Sequence, residues 1–138
     1  MAAIVVDTSV WVNFFRLPGS PEGEELAELL ENGQAAMVAV VLAELMRGAR
    51  DEAELEFLEE TLGALPFLEA QQQTWKRAGR LLFQMRRSGV NLHLADALIA
   101  TVAQENGCPV YSLDEDFGRI PNLQIHRVAS DRGAPDGA

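Results

Sequence analysis

Ala3-Ile4-Val5-Val6-Asp7-Thr8-Ser9-Val10-Trp11-Val12-Asn13-Phe14-Phe15 decides the fold. Residues 3–6 form a short unbroken apolar run, the mark of a strand buried on both faces. Asp7-Thr8-Ser9 then supplies N-cap residues for a short helix, with Asp7 or Thr8 as the cap. Trp11, Phe14 and Phe15 are expected in the core, the alternative being an apolar groove for a partner helix. A buried strand turning directly into a helix is the opening of a parallel α/β fold.

The rest of the chain repeats the alternation. Ser20-Pro21 starts a helix with a cap and a Pro at its first position, and Asn32-Gly33 stops it. Residues 35–40 are a second buried strand, followed by a helix over 41–49 that carries Glu44. Asp51 opens a helix to Leu62, and residues 65–68 form a short edge strand around Pro66. Residues 71–87 form a long amphipathic helix with Trp75, Ala78, Leu81, Leu82 and Met85 inward. A mostly apolar helix over 93–106, strands at 109–113 and 123–126, and a frayed tail from Asp131 complete the chain. The expectation is one α/β domain over 1–130, a three-layer α/β/α fold around a parallel sheet of four to five strands, and a flexible tail at 131–138.

Composition narrows the function. Of 138 residues, 48% are hydrophobic and 23% charged, an ordinary globular balance. Eleven Lys and Arg against 21 Asp and Glu leave −10, which excludes a passive nucleic-acid coat but not an enzyme that meets nucleic acid locally. One cysteine, Cys108, excludes a disulfide framework and a Cys-based zinc site, and is expected to be an inert buried thiol. His93 and His126 lack the spacing of a helical zinc pair. No apolar run spans a membrane and no signal peptide is evident, so the expected compartment is the cytoplasm. The acidic runs Glu22–Glu31 and Asp51–Glu60 read as solvated faces.

Four carboxylates stand out by position. In a parallel sheet the strand C-termini share one edge, where ligands bind. Asp7 follows the first strand and Asp114 a later one, while Glu44 and Asp96 lie near the starts of two helices. Val40, Val41 and Gly48 share the Glu44 stripe, and Ile99, Ala100 and Ala103 that of Asp96, so both point inward. Singly, Asp7 and Asp114 read as helix caps more readily than as ligands, while Glu44 reads equally as a partner of Arg47 and Asp96 as a charge favoured by a helix dipole. Together they are costly: two carboxylates ~5 Å apart repel by about 3 kcal/mol at an effective dielectric of ~20. Protons or a cation must relieve that, and an all-oxygen set suits Mg²⁺ or Mn²⁺ and phosphodiester hydrolysis.

Four segments carry a resemblance: Ile4-Val5-Val6-Asp7-Thr8-Ser9-Val10-Trp11, Val41-Leu42-Ala43-Glu44-Leu45-Met46-Arg47-Gly48, Leu94-Ala95-Asp96-Ala97-Leu98-Ile99-Ala100 and Tyr111-Ser112-Leu113-Asp114-Glu115-Asp116-Phe117. In this order they resemble the PIN-domain ribonucleases, in particular toxins of the VapC type. The resemblance implies a Mg²⁺-dependent endoribonuclease held inactive by a VapB-type antitoxin. It further implies a catalytic and metal-binding quartet of Asp7, Glu44, Asp96 and Asp114. Asp116 is secondary, and Thr8, Ser9 and Ser112 are supporting hydroxyls. Transfer or ribosomal RNA as substrate and a homodimer are further implications.

The one dense basic stretch, with Lys76, Arg80 and Arg87 close to one helical stripe, is expected either to contact RNA or to serve as a solubilising face or an ion-pairing partner of the acidic helices. The alternatives are a non-catalytic PIN-like binding module and a receiver-like Mg²⁺ domain. A receiver needs an acidic pair after its first strand and a lysine after its last core strand. Here Asp7 stands alone and the single lysine, Lys76, lies within a helix.

Overall fold

The computed structural model describes residues 2–128. The tail expected at 131–138 lies outside them. β1 (Ile4–Val6) leads into α1 (Thr8–Arg16) and α2 (Pro21–Glu31), then β2 (Ala35–Ala36). Four helices follow: α3 (Ala39–Arg47), α4 (Glu52–Gly63), α5 (Gln72–Arg87) and α6 (Leu94–Glu105). β3 (Val110–Tyr111) and a 3₁₀ turn (Glu115–Arg119) come last.

The sheet is parallel in the order β2-β1-β3. β1 is central, which is why its run is apolar on both faces. The connection from β1 to β2 and that from β2 to β3 travel in opposite directions. With right-handed crossovers, their helices therefore cover opposite faces. The expected four to five strands resolve into three strands and two single-residue parallel bridges, Met37 to Phe67 and Val110 to Ile125, one at each side. Pro66 contributes only its carbonyl, which accepts from Met37 N, so that edge stays short.

Local chemistry set the helix starts. Ser20 Oγ accepts from Gly23 N, and Asp51 Oδ1 accepts from Glu54 N. The expected strand over 35–40 stops at Ala36, and its helix begins at Ala39 instead of 41. The run Met37-Val38-Ala39-Val40-Val41 is apolar in either state, and periodicity cannot separate a buried strand from a buried helix.

Three burial expectations are corrected. Trp75 is 50% exposed instead of inward, because Thr74, Ala78 and Met85 occupy the packed face of α5. Phe15 is 44% exposed and stacks on Trp11, which is buried. Glu25 lies within a run expected to be solvated, yet it is buried, and its Oε2 is 2.7 Å from Nε2 of His126, whose side chain is likewise enclosed. That pair ties α2 to the segment after β3.

α1 and α2 meet closely at Gly23. A Cβ there would stand 2.9 Å from the carbonyl oxygens of both Leu17 and Pro18. These are backbone atoms, so neither can step aside as a side chain would. Gly23→Ala is expected to cost roughly 1–3 kcal/mol, as overpacking does. Urea unfolding checks it: a midpoint equal to the wild type would mean that the Leu17-Pro18 backbone gives way freely.

Candidate active site

β1 delivers Asp7 to the C-terminal edge of the sheet, where its backbone N–H donates to Tyr111 O and closes the ladder. Its side chain is only 5% exposed. Three donors converge on Oδ2: Ser9 Oγ at 2.7 Å, Ser112 Oγ at 2.7 Å and Ser9 N at 3.4 Å. Asp7 is thus a helix cap and a fixed carboxylate at once. The two hydroxyls lie 3.3 Å apart and tie in the next loop, for Leu113 N donates to Ser9 Oγ and Asp114 N to Ser112 Oγ. Two hydroxyls thereby lock the end of β1 to the end of β3.

Glu44 comes from α3 and is half-buried. Its Oε1 accepts from Thr8 Oγ1 at 2.8 Å, so the partner is Thr8 of α1 and not Arg47. Asp114 is exposed and caps the 3₁₀ turn by accepting from Asp116 N. Asp116 itself faces Arg119, 3.9 Å away.

Asp96 sits in the first turn of α6 and is half-buried. Its carboxyl is pushed up from 3.8 to about 6, first by burial and then by the charges of Asp7 and Asp114. Glu44 adds a smaller push, and the exposed His93 at the start of α6 opposes it. The four carboxylates come from four separate segments, and the charges of the other three reach Asp96. Among the described residues, no group of three or more His, Cys, Asp or Glu is drawn tightly enough to enclose an ion by itself.

The Asp96 shift has a sign that can be measured. A carboxyl whose folded pKa lies above its unfolded one is best tolerated protonated, so metal-free stability falls as pH rises from 3.8 through about 6. Asp96→Asn removes that loss. Since the group is partly screened by water, the gain near neutral pH is about 1 kcal/mol, a few °C in Tm, and it vanishes near pH 4. Equal Tm differences at both pH values would separate Asp96 from the carboxylate field.

The basic stripe divides. Thr74 Oγ1 donates to Glu105 Oε1, and Arg77 pairs with the same carboxylate, so the start of α5 lies against the end of α6, away from Asp96. Lys76 is exposed on that half of the helix. Arg80 lines a groove between α5 and α6 together with Gln84 and Gln104. Arg87 and Arg86 lie over the exposed Phe83 ring, 5.7 and 5.9 Å from its centre.

An apolar groove, the alternative place expected for Trp11, Phe14 and Phe15, is present, and of the three Phe15 lines it. A groove of about 560 Å³ is lined by Val12, Phe15, Leu45, Phe57 and Leu58, with Glu44 among its walls. Phe57 is 55% exposed. Its place on α4 between Glu56 and Leu58 gives no periodic signal that it faces outward into a groove.

Comparison with known proteins gives a consistent neighbourhood. The PIN domain family matches residues 4–123. The ribonuclease VapC11 of Mycobacterium tuberculosis is 34% identical over 128 residues, 88% of this chain and 96% of that protein. Among solved structures, VapBC2 from Rickettsia felis, bound to a promoter DNA fragment, has a TM-score of 0.75 at 21% identity, covering 90% of this chain and 97% of that one. VapBC-5 from Mycobacterium tuberculosis, described as a toxin–antitoxin system, has a TM-score of 0.65 at 25% identity, covering 93% and 100%. The receiver-like alternative is overturned by these matches.

Proposed function

This chain belongs to the PIN-domain family and to its VapC-type branch, and from that premise we propose that it is a Mg²⁺-dependent endoribonuclease toxin held inactive by a VapB-type antitoxin. The observation that carries the reading is the edge where burial first, and then the charges of Asp7, Asp114 and Glu44, raise the Asp96 carboxyl to about 6. Relatives bearing the name ribonuclease, and neighbours described as VapBC complexes, support it.

The donor chemistry fits a hard cation. The quartet's donors are all carboxylate oxygens, and Mg²⁺ keeps several waters while binding one or two carboxylates, so a loose acidic edge suits it better than a tight cage. Asp7, Asp96, Asp114 and Glu44 would hold it, and Mn²⁺ has the same donor preference. Bound there, it would lower the pKa of an attacking water and stabilise the leaving oxygen of an RNA phosphodiester. The chain's own groups prepare that site. Ser9 and Ser112 occupy one oxygen of Asp7 and so fix its orientation. Thr8 does the same for Glu44, and Ser112 also steadies the backbone of Asp114.

Transfer or ribosomal RNA is the substrate class proposed, in the cytoplasm. Among the described residues no helix is long and apolar enough to cross a membrane. The groove beside Glu44 suits an antitoxin helix, since its apolar walls run up to a catalytic carboxylate. The exposed Trp75, Gly79 and Phe83 of α5 offer a separate surface for a second copy of the chain. Inducible expression of the wild type and Asp7→Asn, with sequencing of new RNA 5′ ends, tests the whole reading. New ends and growth arrest with the wild type alone are expected. Identical RNA from both strains would sink the nuclease.

A further inference from the structure

The acidic edge must admit a polyanion, so a cation beside it has a task that the quartet cannot perform. Among the described residues, the positive side chains sharing a pocket with a quartet member are few. Arg16 and Arg50 stand in the groove with Glu44, and Arg50 is committed to Glu54 at 2.8 Å. On the other side, a pocket of about 270 Å³ is lined by Ser112, Asp114, Glu115, Gly118, Ile125 and Arg127.

Arg127 arrives there by register. The bridge sets Ile125 opposite Val110, an offset of 125 − 110 = 15, which brings Arg127 level with Ser112. Because the segment runs parallel to β3, its end emerges at the same edge as the end of β3. His126 anchors it: its N–H donates to Val110 O at 2.8 Å, its ring meets Glu25, and its edge packs on Tyr111. In extended chain successive side chains alternate, so with His126 turned inward Arg127 turns out, and it is exposed. No carboxylate pairs with it among the described residues, although Asp114 and Glu115 line the same pocket. Its guanidinium has a planar fork suited to phosphate oxygens.

We infer that Arg127 is a substrate-binding residue, gripping an RNA backbone phosphate on the Asp114 side of the acidic edge. The inference rests on the nuclease reading and adds to it the direction in which the strand leaves the site. A chain of net charge −10 draws no RNA by its overall field, so one local contact next to the carboxylates weighs heavily.

The test uses bulk transfer RNA as probe, on an Asp7→Asn background, with binding measured across a KCl series. Arg127→Ala is expected to weaken binding roughly tenfold and to lower the slope of log K against log salt by about 0.7–0.9, one phosphate contact. Arg127→Lys keeps the slope, because the charge stays, but recovers only part of the affinity, because the fork is lost. Arg77→Ala removes the same charge at the far end of α6 and is expected to keep the slope. In the active enzyme, Arg127→Ala raises KM more than it lowers kcat. An unchanged slope and affinity for Arg127→Ala would overturn the inference, as would an equal loss for Arg77→Ala. If the wild type produces no new RNA 5′ ends, the nuclease reading falls first, which the binding series alone does not report.

Discussion

Asp7→Asn will slow RNA cleavage by roughly two to three orders of magnitude or more, about 3–4 kcal/mol of barrier at 1.36 kcal/mol per tenfold. Asn keeps the volume and still caps α1, since Asn and Asp cap helices about equally well. It also keeps an oxygen for Ser9 and Ser112 to address. What disappears is the charge at the most enclosed carboxylate of the edge. Glu44→Gln, Asp96→Asn and Asp114→Asn are expected to act in the same direction. Asp116→Asn is expected to be milder, because that side chain faces Arg119. Initial rates on a mapped RNA target at saturating Mg²⁺, with thermal melts to verify folding, check the series. Wild-type rates in any two of the four variants would dissolve the quartet. Chelation should silence the wild type, and Mg²⁺ should raise its Tm more than that of Asp7→Asn, since a ligand that binds only the folded state stabilises it.

Phe57→Asp is expected to free the toxin from its antitoxin. Phe57 stands 55% exposed on α4 at the groove that Phe15 and Leu45 also line. A large aromatic left half in water is a natural anchor for a partner helix, and losing such an anchor costs about 2–4 kcal/mol, a Kd some 30- to 1,000-fold weaker. A carboxylate in its place adds the penalty of burying an unpaired charge. The fold should tolerate it, because the side chain is outside the core. Cells producing both proteins should then arrest as though the antitoxin were absent, while the free protein still cleaves RNA. Full protection against both Phe57→Asp and Phe15→Asp would place the antitoxin elsewhere.

These expectations divide by the range of the interactions behind them. The start of α2 at Ser20-Pro21, the cap at Asp51, the stop at Gly33 and the apolar run of β1 were all legible, and the structure has them. Asp7 and Asp114 were legible at one edge, because a parallel sheet puts its strand ends together, and Asp96 lies within the field of both and of Glu44. A cap or a period is decided within a few neighbours, and a sequence contains those neighbours. The rest depends on where crossovers return the chain. Ser112 meets Asp7 across 105 residues, and His126 meets Glu25 across 101. Thr8, rather than Arg47, claims Glu44 across 36. The outward turn of Trp75 and the length of β2 follow from which faces other elements already fill. Arg127 comes level with Ser112 only through the register of a single bridge. Local propensity determined which segments are strands and helices and which carboxylates reach the edge. Tertiary packing decided which oxygen each hydroxyl holds and which arginines come beside them, because those contacts join segments whose separation in sequence has no bearing on their distance in space.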